Sequence, residues 1–100
     1  MSAWKQFERE AADLIQGKRF WANSGEALDC ESPLFVAQCK LVRVLSLNAL
    51  ADLCEVAEKQ GAPKFKAGLV IVKPRRGRGR ASPTIVAMTA ATFRQLHGQR

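Results

Sequence analysis

Apolar residues recur at helical spacing at the start of the chain and again in its middle, and these two runs predict amphipathic helices. The first helix is predicted over about residues 3–16, with Gly17 in the C′ position that ends it. The second is predicted to begin after Ser46 as N-cap and to run to about Gln60, ending at Gly61.

Shorter β-prone runs predict four strands, over residues 27–31, 34–41, 68–73 and 84–88. Ser32 and Pro33 supply a turn, so the first two strands are predicted to form a hairpin. The third run is continuously apolar, which is typical of a central strand covered on both faces.

The remaining segments complete one small α/β domain. Residues 18–23 are predicted to be extended, and Thr89 is predicted to cap a last helix that ends near Leu96, before Gly98. The element order α-β-β-α-β-β-α predicts a single domain over residues 1–100, with a mixed central β-sheet flanked by helices.

The charge of the chain is divided unevenly between its two parts. Residues 1–60 contain seven Lys/Arg and all nine Asp/Glu, whereas residues 61–100 contain nine Lys/Arg and no acid. A strongly basic second part indicates a polyanionic partner, most simply nucleic acid, although charge alone does not separate DNA, RNA and an anionic membrane.

The composition is that of an ordinary globular protein, with 47% hydrophobic and 25% charged residues. The sequence has no apolar run near the length that spans a bilayer and no apolar core of a signal peptide, so a cytoplasmic location is expected. Its three cysteines lack the spacing of a zinc site and are predicted to be buried free thiols.

A loop rich in Arg, Gly and Pro is predicted over residues 74–83, at the tip of a second hairpin. Arginine at a flexible tip is well suited to contacts with DNA phosphates. The alternative is a solvated loop with no role. The predicted phosphate contacts are the loop arginines and two preceding lysines that extend the same patch: Lys64, Lys66, Arg75, Arg76, Arg78 and Arg80.

The first hairpin has polar residues in a pattern that is suited to metal-assisted phosphodiester chemistry. Asp29 lies on its first strand, and Gln38 and Lys40 share a face of the second. Asp29 is predicted to bind Mg²⁺ directly. Gln38 is predicted to be a neutral ligand through its side-chain carbonyl or to position water, and the main-chain carbonyl of Cys39 is a further candidate ligand.

Two further acids are weighed for the same site. Glu8 on the first helix is a candidate additional acid, and Glu31 is a reserve candidate. Lys40 is predicted to orient or deprotonate water, or to stabilise developing charge on a phosphate. The alternative is that Asp29 and Glu31 are solvated acids beside a turn and that Lys40 is an edge-strand lysine.

In its order of motifs, nearly the whole chain resembles the PD-(D/E)xK nuclease superfamily, specifically small Holliday-junction-resolvase-like proteins of phages and archaea. The resemblance lies in Glu8 on the first helix, Asp29 on the first hairpin strand, and Gln38-Cys39-Lys40 on the second. It departs from the commonest pattern at Leu28, where Pro is usual, and at Gln38, where Glu is usual and a negative charge is therefore lost.

The resemblance implies a restriction-endonuclease-like core and a Mg²⁺-dependent endonuclease, with Mn²⁺ as a possible substitute, acting on branched or duplex DNA as a homodimer. The four residues implied to be catalytic are Glu8, Asp29, Gln38 and Lys40. Two alternatives belong to other classes: a catalytically inactive nucleic-acid-binding module with the same fold, and an accessory protein that binds a larger enzyme.

Overall fold

The computed structural model describes residues 3–19, 30–77 and 79–98, which form three α-helices and five β-strands. Its elements follow one another as α1 (Ala3–Leu14), β1 (Lys18–Arg19), β2 (Cys30–Glu31), β3 (Phe35–Val42), α2 (Leu47–Gly61), a 3₁₀ turn (Ala62–Lys64), β4 (Ala67–Pro74), β5 (Ile85–Ala87) and α3 (Ala90–His97).

The five strands form one open mixed sheet in the order β1-β2-β3-β4-β5. Neighbouring strands are antiparallel except β3 and β4, which run parallel and are connected by α2.

The predicted α/β class, mixed sheet and flanking helices are confirmed. The predicted element order lacked β1, because only two residues of the extended segment pair with β2. The predicted segments 20–23 and 27–29 lie outside the described residues.

The helices cover both faces of the sheet. On one face, Phe7 and Ala11 of α1 pack in a buried cluster with Ala37 and Cys39 of β3 and Ile71 of β4. α2 covers the other face. β4 is buried along most of its length, as its continuous apolar run predicts.

Close backbone contact fixes the position of α2. A Cβ on Gly68 of β4 would collide with the main chain of Ala57 and Glu58 in α2. One on Gly61 would collide with the main-chain carbonyl of Lys66 and press against Val36 of β3. Gly68 therefore lets α2 lie close to the sheet, and Gly61 lets the end of α2 lie close to the residue that precedes β4.

Local signals correctly predict two helix starts and one helix end. The side chain of Ser46 accepts a hydrogen bond from the N–H of Ala49, and that of Thr89 accepts one from the N–H of Thr92. Gly98 ends α3 with a φ of 73°.

The prediction for the end of α1 is wrong in detail. Gln16, with a φ of 58°, takes the left-handed position that was predicted for Gly17. The N–H of Gly17 donates to the carbonyl of Ala12 and that of Gln16 to the carbonyl of Asp13, the pattern of a Schellman motif. Gly17 is needed for a different reason, since a Cβ there would collide with the main-chain carbonyl of Glu31.

Candidate functional site

Gln38 and Lys40 lie on the face of β3 that points towards α2, as their alternation predicts. Gln38 is only 8% exposed, and its Nε2 donates to Oε1 of Gln60, 3.0 Å away at the end of α2. Lys40 is half-buried and lines an open cavity of about 330 Å³ together with Asp52 and Leu53 of α2. The structure therefore brings an amide, an ammonium and a carboxylate to one face of the sheet.

Asp29, the predicted principal metal ligand, lies outside the described residues. It directly precedes Cys30, which pairs with Ala37, the residue before Gln38. Its role therefore stays a prediction.

Glu8 is buried on the sheet-facing side of α1, one turn before Ala12. α1 covers the Cys39 face of β3, whereas Gln38 and Lys40 occupy the opposite face. A ligand that touches both Glu8 and Gln38 would therefore have to lie beside an edge of β3. Among the described residues, β2 pairs with β3 only at Val36 and Ala37.

Cys39 lies between the two polar residues of β3 and directs its side chain into the core, where it is 1% exposed. The thiol therefore does not reach the face of Gln38 and Lys40, and metal binding by the main-chain carbonyl of Cys39 stays a prediction. Residues 3–19, 30–77 and 79–98 contain no cluster of three or more His, Cys, Asp or Glu side chains that could hold a metal ion.

Glu31 is engaged by two lysines from the turn that precedes β4. Nζ of Lys64 lies 3.0 Å from Oε1, and Lys66 donates to Oε2. The hydrogen bond from Lys66, and then that from Lys64, lower the pKa of Glu31 below its ordinary value against an opposing effect of burial. This ion-pair cluster joins β2 to the start of β4, a contact over more than thirty residues that the sequence pattern did not reveal.

The Arg/Gly-rich loop joins β4 to β5, and these strands pair antiparallel, so the predicted second hairpin is confirmed. Arg75, Arg76 and Arg80 are exposed, and Arg78 lies outside the described residues. The guanidinium of Arg76 donates to the carbonyl of Ala81 across the loop, with a separation of 3.0 Å.

A carboxylate anchors the base of this loop. Glu10 of α1 accepts hydrogen bonds from Thr84 and from Nζ of Lys73, the latter 3.1 Å away. The hydrogen bond from Thr84, and then that from Lys73, lower the pKa of Glu10 below its ordinary value. Glu10 was not among the predicted functional residues, because its partners lie far along the chain.

The basic residues do not form the single patch predicted from the sequence. Lys64 and Lys66 precede the start of β4, and Arg75 directly follows its last residue, Pro74. The two groups therefore lie at opposite ends of one strand. Part of the charge of the two lysines is balanced by Glu31, whereas Arg75, Arg76 and Arg80 are exposed to solvent.

Phe65 lies between these two lysines and is a further feature that the sequence pattern did not reveal. It is 94% exposed and has a left-handed φ of 58°. A bulky residue in that region of backbone space is uncommon in proteins.

Comparison of the chain with protein-family models, with curated proteins and with solved structures gives no match. None of the helices in the described part of the chain is both long and apolar enough to cross a membrane. The function is therefore inferred from the residues and geometry of the chain itself.

Proposed function

We propose that this chain is a metal-dependent, structure-selective DNA endonuclease with a restriction-endonuclease-like core, and that four-way junctions are its substrate. The observation that supports the proposal best is the placement of Gln38 and Lys40 together on β3, in the strand that follows Asp29 and β2. The exposed arginine loop supplies the second requirement, a surface for DNA phosphates.

The candidate donors for the metal are all oxygen atoms, which suits Mg²⁺. In the proposal, Asp29 supplies the one negative charge, and the side chain of Gln38 and the main chain of Cys39 supply neutral carbonyls. Gln38 donates to Gln60 through its amide nitrogen, so the proposed contact with the metal is assigned to its amide oxygen. A bound Mg²⁺ would polarise the phosphoryl group and lower the pKa of a coordinated water.

The protein's own groups have separate roles in this proposal. The ammonium of Lys40 orients the attacking water or stabilises the negative charge that develops on the phosphoryl oxygens. Arg75, Arg76, Arg78 and Arg80 hold the DNA backbone and thereby place the scissile phosphate. Glu8, which is buried on α1, would supply a further acid to a ligand that lies beside the edge of β3. A two-fold homodimer would cut the two symmetry-related strands of a junction.

Cleavage of an end-labelled four-way junction and of a matched linear duplex tests this function, with Mg²⁺, Mn²⁺ or EDTA. We expect symmetric, metal-dependent cuts in the junction alone. Asp29→Asn and Lys40→Ala should each abolish cutting while leaving binding intact, and Lys59→Ala, which changes an exposed lysine of α2, should cut normally. Equal cutting by the Asp29→Asn variant would refute the assigned site.

The second candidate is a nucleic-acid-binding module with the same fold and no catalysis. It is favoured by the neutral residue at position 38, which removes one negative charge from the proposed metal site. Junction binding without cutting under every metal condition, together with no calorimetric heat for Mg²⁺ or Mn²⁺ that depends on Asp29, would establish this module instead.

A further inference from the structure

Two cysteines on neighbouring strands have their sulfur atoms in contact. Sγ of Cys30 on β2 lies 3.8 Å from Sγ of Cys39 on β3, and the two residues are 0% and 1% exposed. The register pairs Cys30 with Ala37, so Cys39 is two residues further along the same face of β3. Both side chains are reduced thiols, and both lie beneath α1 in the cluster that contains Phe7 and Ala11.

Two adjacent thiols can be oxidised to a disulfide without the help of any other protein group. A disulfide has an S–S length of about 2.05 Å, so the two sulfurs would have to move about 1.8 Å closer. The two cysteines are diagonal neighbours in the register, and the Cα atoms of such pairs typically lie about 7 to 8 Å apart, beyond the roughly 6.8 Å that a disulfide spans. Closing the bridge therefore requires rotation of both side chains and a shift of the two-residue strand β2 towards β3.

We propose that Cys30 and Cys39 are an oxidation site, and that a hydroperoxide converts them to a disulfide that cross-links β2 to β3. One thiolate sulfur attacks the O–O bond of hydrogen peroxide, forming a sulfenic acid and releasing water after protonation. The second sulfur then attacks the first, the S–S bond forms, and the sulfenic oxygen leaves as a second water. Two thiols lose two electrons and two protons in all, and one peroxide is reduced.

Burial under α1 determines how this reaction proceeds. Thiols inside an apolar core react slowly until local opening admits the oxidant, so the reaction rate should follow the opening of α1 from the sheet. Mild denaturant below the unfolding transition should therefore accelerate oxidation. Because the two sulfurs lie close together, a sulfenic acid on one of them should form a disulfide before it is oxidised further.

Cys54 provides an internal comparison. It is also buried and free, but it lies in α2, on the other side of the sheet from Cys30 and Cys39. Burial, together with the nearby charge of Glu58, raises its pKa above the ordinary value, which lowers the fraction of reactive thiolate further. Cys54 should therefore remain a thiol when the pair has been oxidised.

The disulfide would link the redox state to the candidate metal site. Cys39 lies between Gln38 and Lys40, and Cys30 directly follows Asp29. Drawing the two strands together changes the spacing of the residues that are proposed to bind the metal, and oxidation should reduce Mn²⁺-dependent cleavage. This consequence rests on the proposed function, whereas the disulfide itself does not.

The decisive experiment treats the whole purified chain with hydrogen peroxide, quenches with catalase, alkylates the remaining thiols in denaturant and digests with trypsin without reduction. Cys30 and Cys39 fall in one tryptic peptide, residues 20–40, and Cys54 falls in another, residues 44–59. We expect the first peptide to appear unalkylated and lighter by two hydrogen atoms, and the second to appear alkylated.

Cysteine variants identify which two residues form the disulfide. Cys54→Ser should give the same oxidised peptide at the same rate, whereas Cys39→Ala and Cys30→Ala should give none, with circular dichroism used to verify that each is folded. The proposal is overturned if peptide 20–40 stays fully alkylated at peroxide levels that oxidise Cys54. It is equally overturned if the disulfide that forms includes Cys54. Both results are readable even if the chain cuts no DNA.

Discussion

Nε2 of Gln38 donates a hydrogen bond to Oε1 of Gln60 over 3.0 Å, and this contact joins the middle of β3 to the last turn of α2. This hydrogen bond orients the amide of Gln38, and its acceptor Gln60 lies outside the proposed metal site. A partner of this kind fixes the geometry of a ligand and is commonly as important as the ligand itself.

Gln38→Glu should increase metal affinity and reduce stability in the absence of metal. An ionised carboxylate at this buried position costs on the order of several kcal/mol of the free energy of unfolding at pH 7 without a cation, and Mg²⁺ or Mn²⁺ should restore part of it. Calorimetric titration should give at least about tenfold tighter binding, equivalent to ~1.4 kcal/mol. Gln95→Glu on exposed α3 is the matched control, and equal metal affinity in the two variants would remove Gln38 from the site.

Stability should fall on acidification through the titration of Glu31. Lys66 and Lys64 lower the pKa of Glu31 in the folded state, so its contribution is complete above the unfolded pKa of about 4.3 and is lost as the pH falls through the lower, folded value. Glu31→Gln should therefore lower the free energy of unfolding by about 1 kcal/mol at pH 7.

The check is urea denaturation of wild type and Glu31→Gln between pH 2.5 and about 7, the window around the carboxylate pKa. The difference between the two proteins should vanish at the acidic end. Glu55→Gln, at an exposed position on α2, should track the wild type throughout. A difference that persists at the lowest pH would show that the contact acts through packing instead of charge.

Gly68→Ala should be among the most destabilising single substitutions in the chain. Its Cβ would collide with main-chain atoms of Ala57 and Glu58, which cannot rotate away, so α2 would have to move off the sheet. We expect a loss of about 3 kcal/mol or more in chemical denaturation. Gly77→Ala, where nothing lies within 4 Å, is the control and should leave stability nearly unchanged.

α3 should detach before the rest of the domain when its anchor is removed. Oγ1 of Thr92 donates to Oε2 of Glu58 over 2.6 Å, and Thr89 donates to the same oxygen. Thr92→Val removes one of these bonds to a carboxylate and should cost about 1.5 to 3 kcal/mol. A helix of this length is not stable alone, so amide exchange should accelerate first in α3. Thr92→Ser keeps the hydroxyl and should exchange more slowly than Thr92→Val.

Replacing the four loop arginines, Arg75, Arg76, Arg78 and Arg80, with Ala should weaken DNA binding and reduce its salt dependence. If all four neutralise phosphates of a duplex, the slope of log K against log salt should decrease in magnitude by about 3.6. Arg94→Ala on exposed α3 is the control for a simple loss of charge. Fluorescence anisotropy at several salt concentrations measures the slope, and an unchanged value would exclude the loop from the interface.

The sequence predicts those parts of the structure that depend on neighbouring residues. Caps at Ser46 and Thr89, the helix end at Gly98 and the shared face of Gln38 and Lys40 each follow from local chemistry or alternation. Contacts between distant segments were missed because no local pattern encodes them. Three contacts depend on how distant helices and strands pack together. They are the hydrogen bond from Gln38 to Gln60, the ion pairs of Glu31 with two lysines, and the contact between Cys30 and Cys39.

The interpretation of Gly17 failed for the same reason. Its local position suggested a helix cap, whereas its actual constraint is the main chain of Glu31, fourteen residues further along the sequence. A glycine that is needed for close contact gives the same sequence signal as one that is needed for its backbone angles. Only the partner strand distinguishes them.

The two basic groups lie at opposite ends of β4, so the length of this strand sets the distance between them. Eight strand residues span roughly 26 Å at about 3.3 Å each, and phosphates along one strand of B-DNA recur every 3.4 Å of its axis. A duplex arm laid along β4 would have to extend about eight base pairs to reach both ends. A shorter arm would contact the basic group at one end of β4 only. In a series of junctions with increasing arm length, the affinity should therefore rise abruptly once the arms reach both groups.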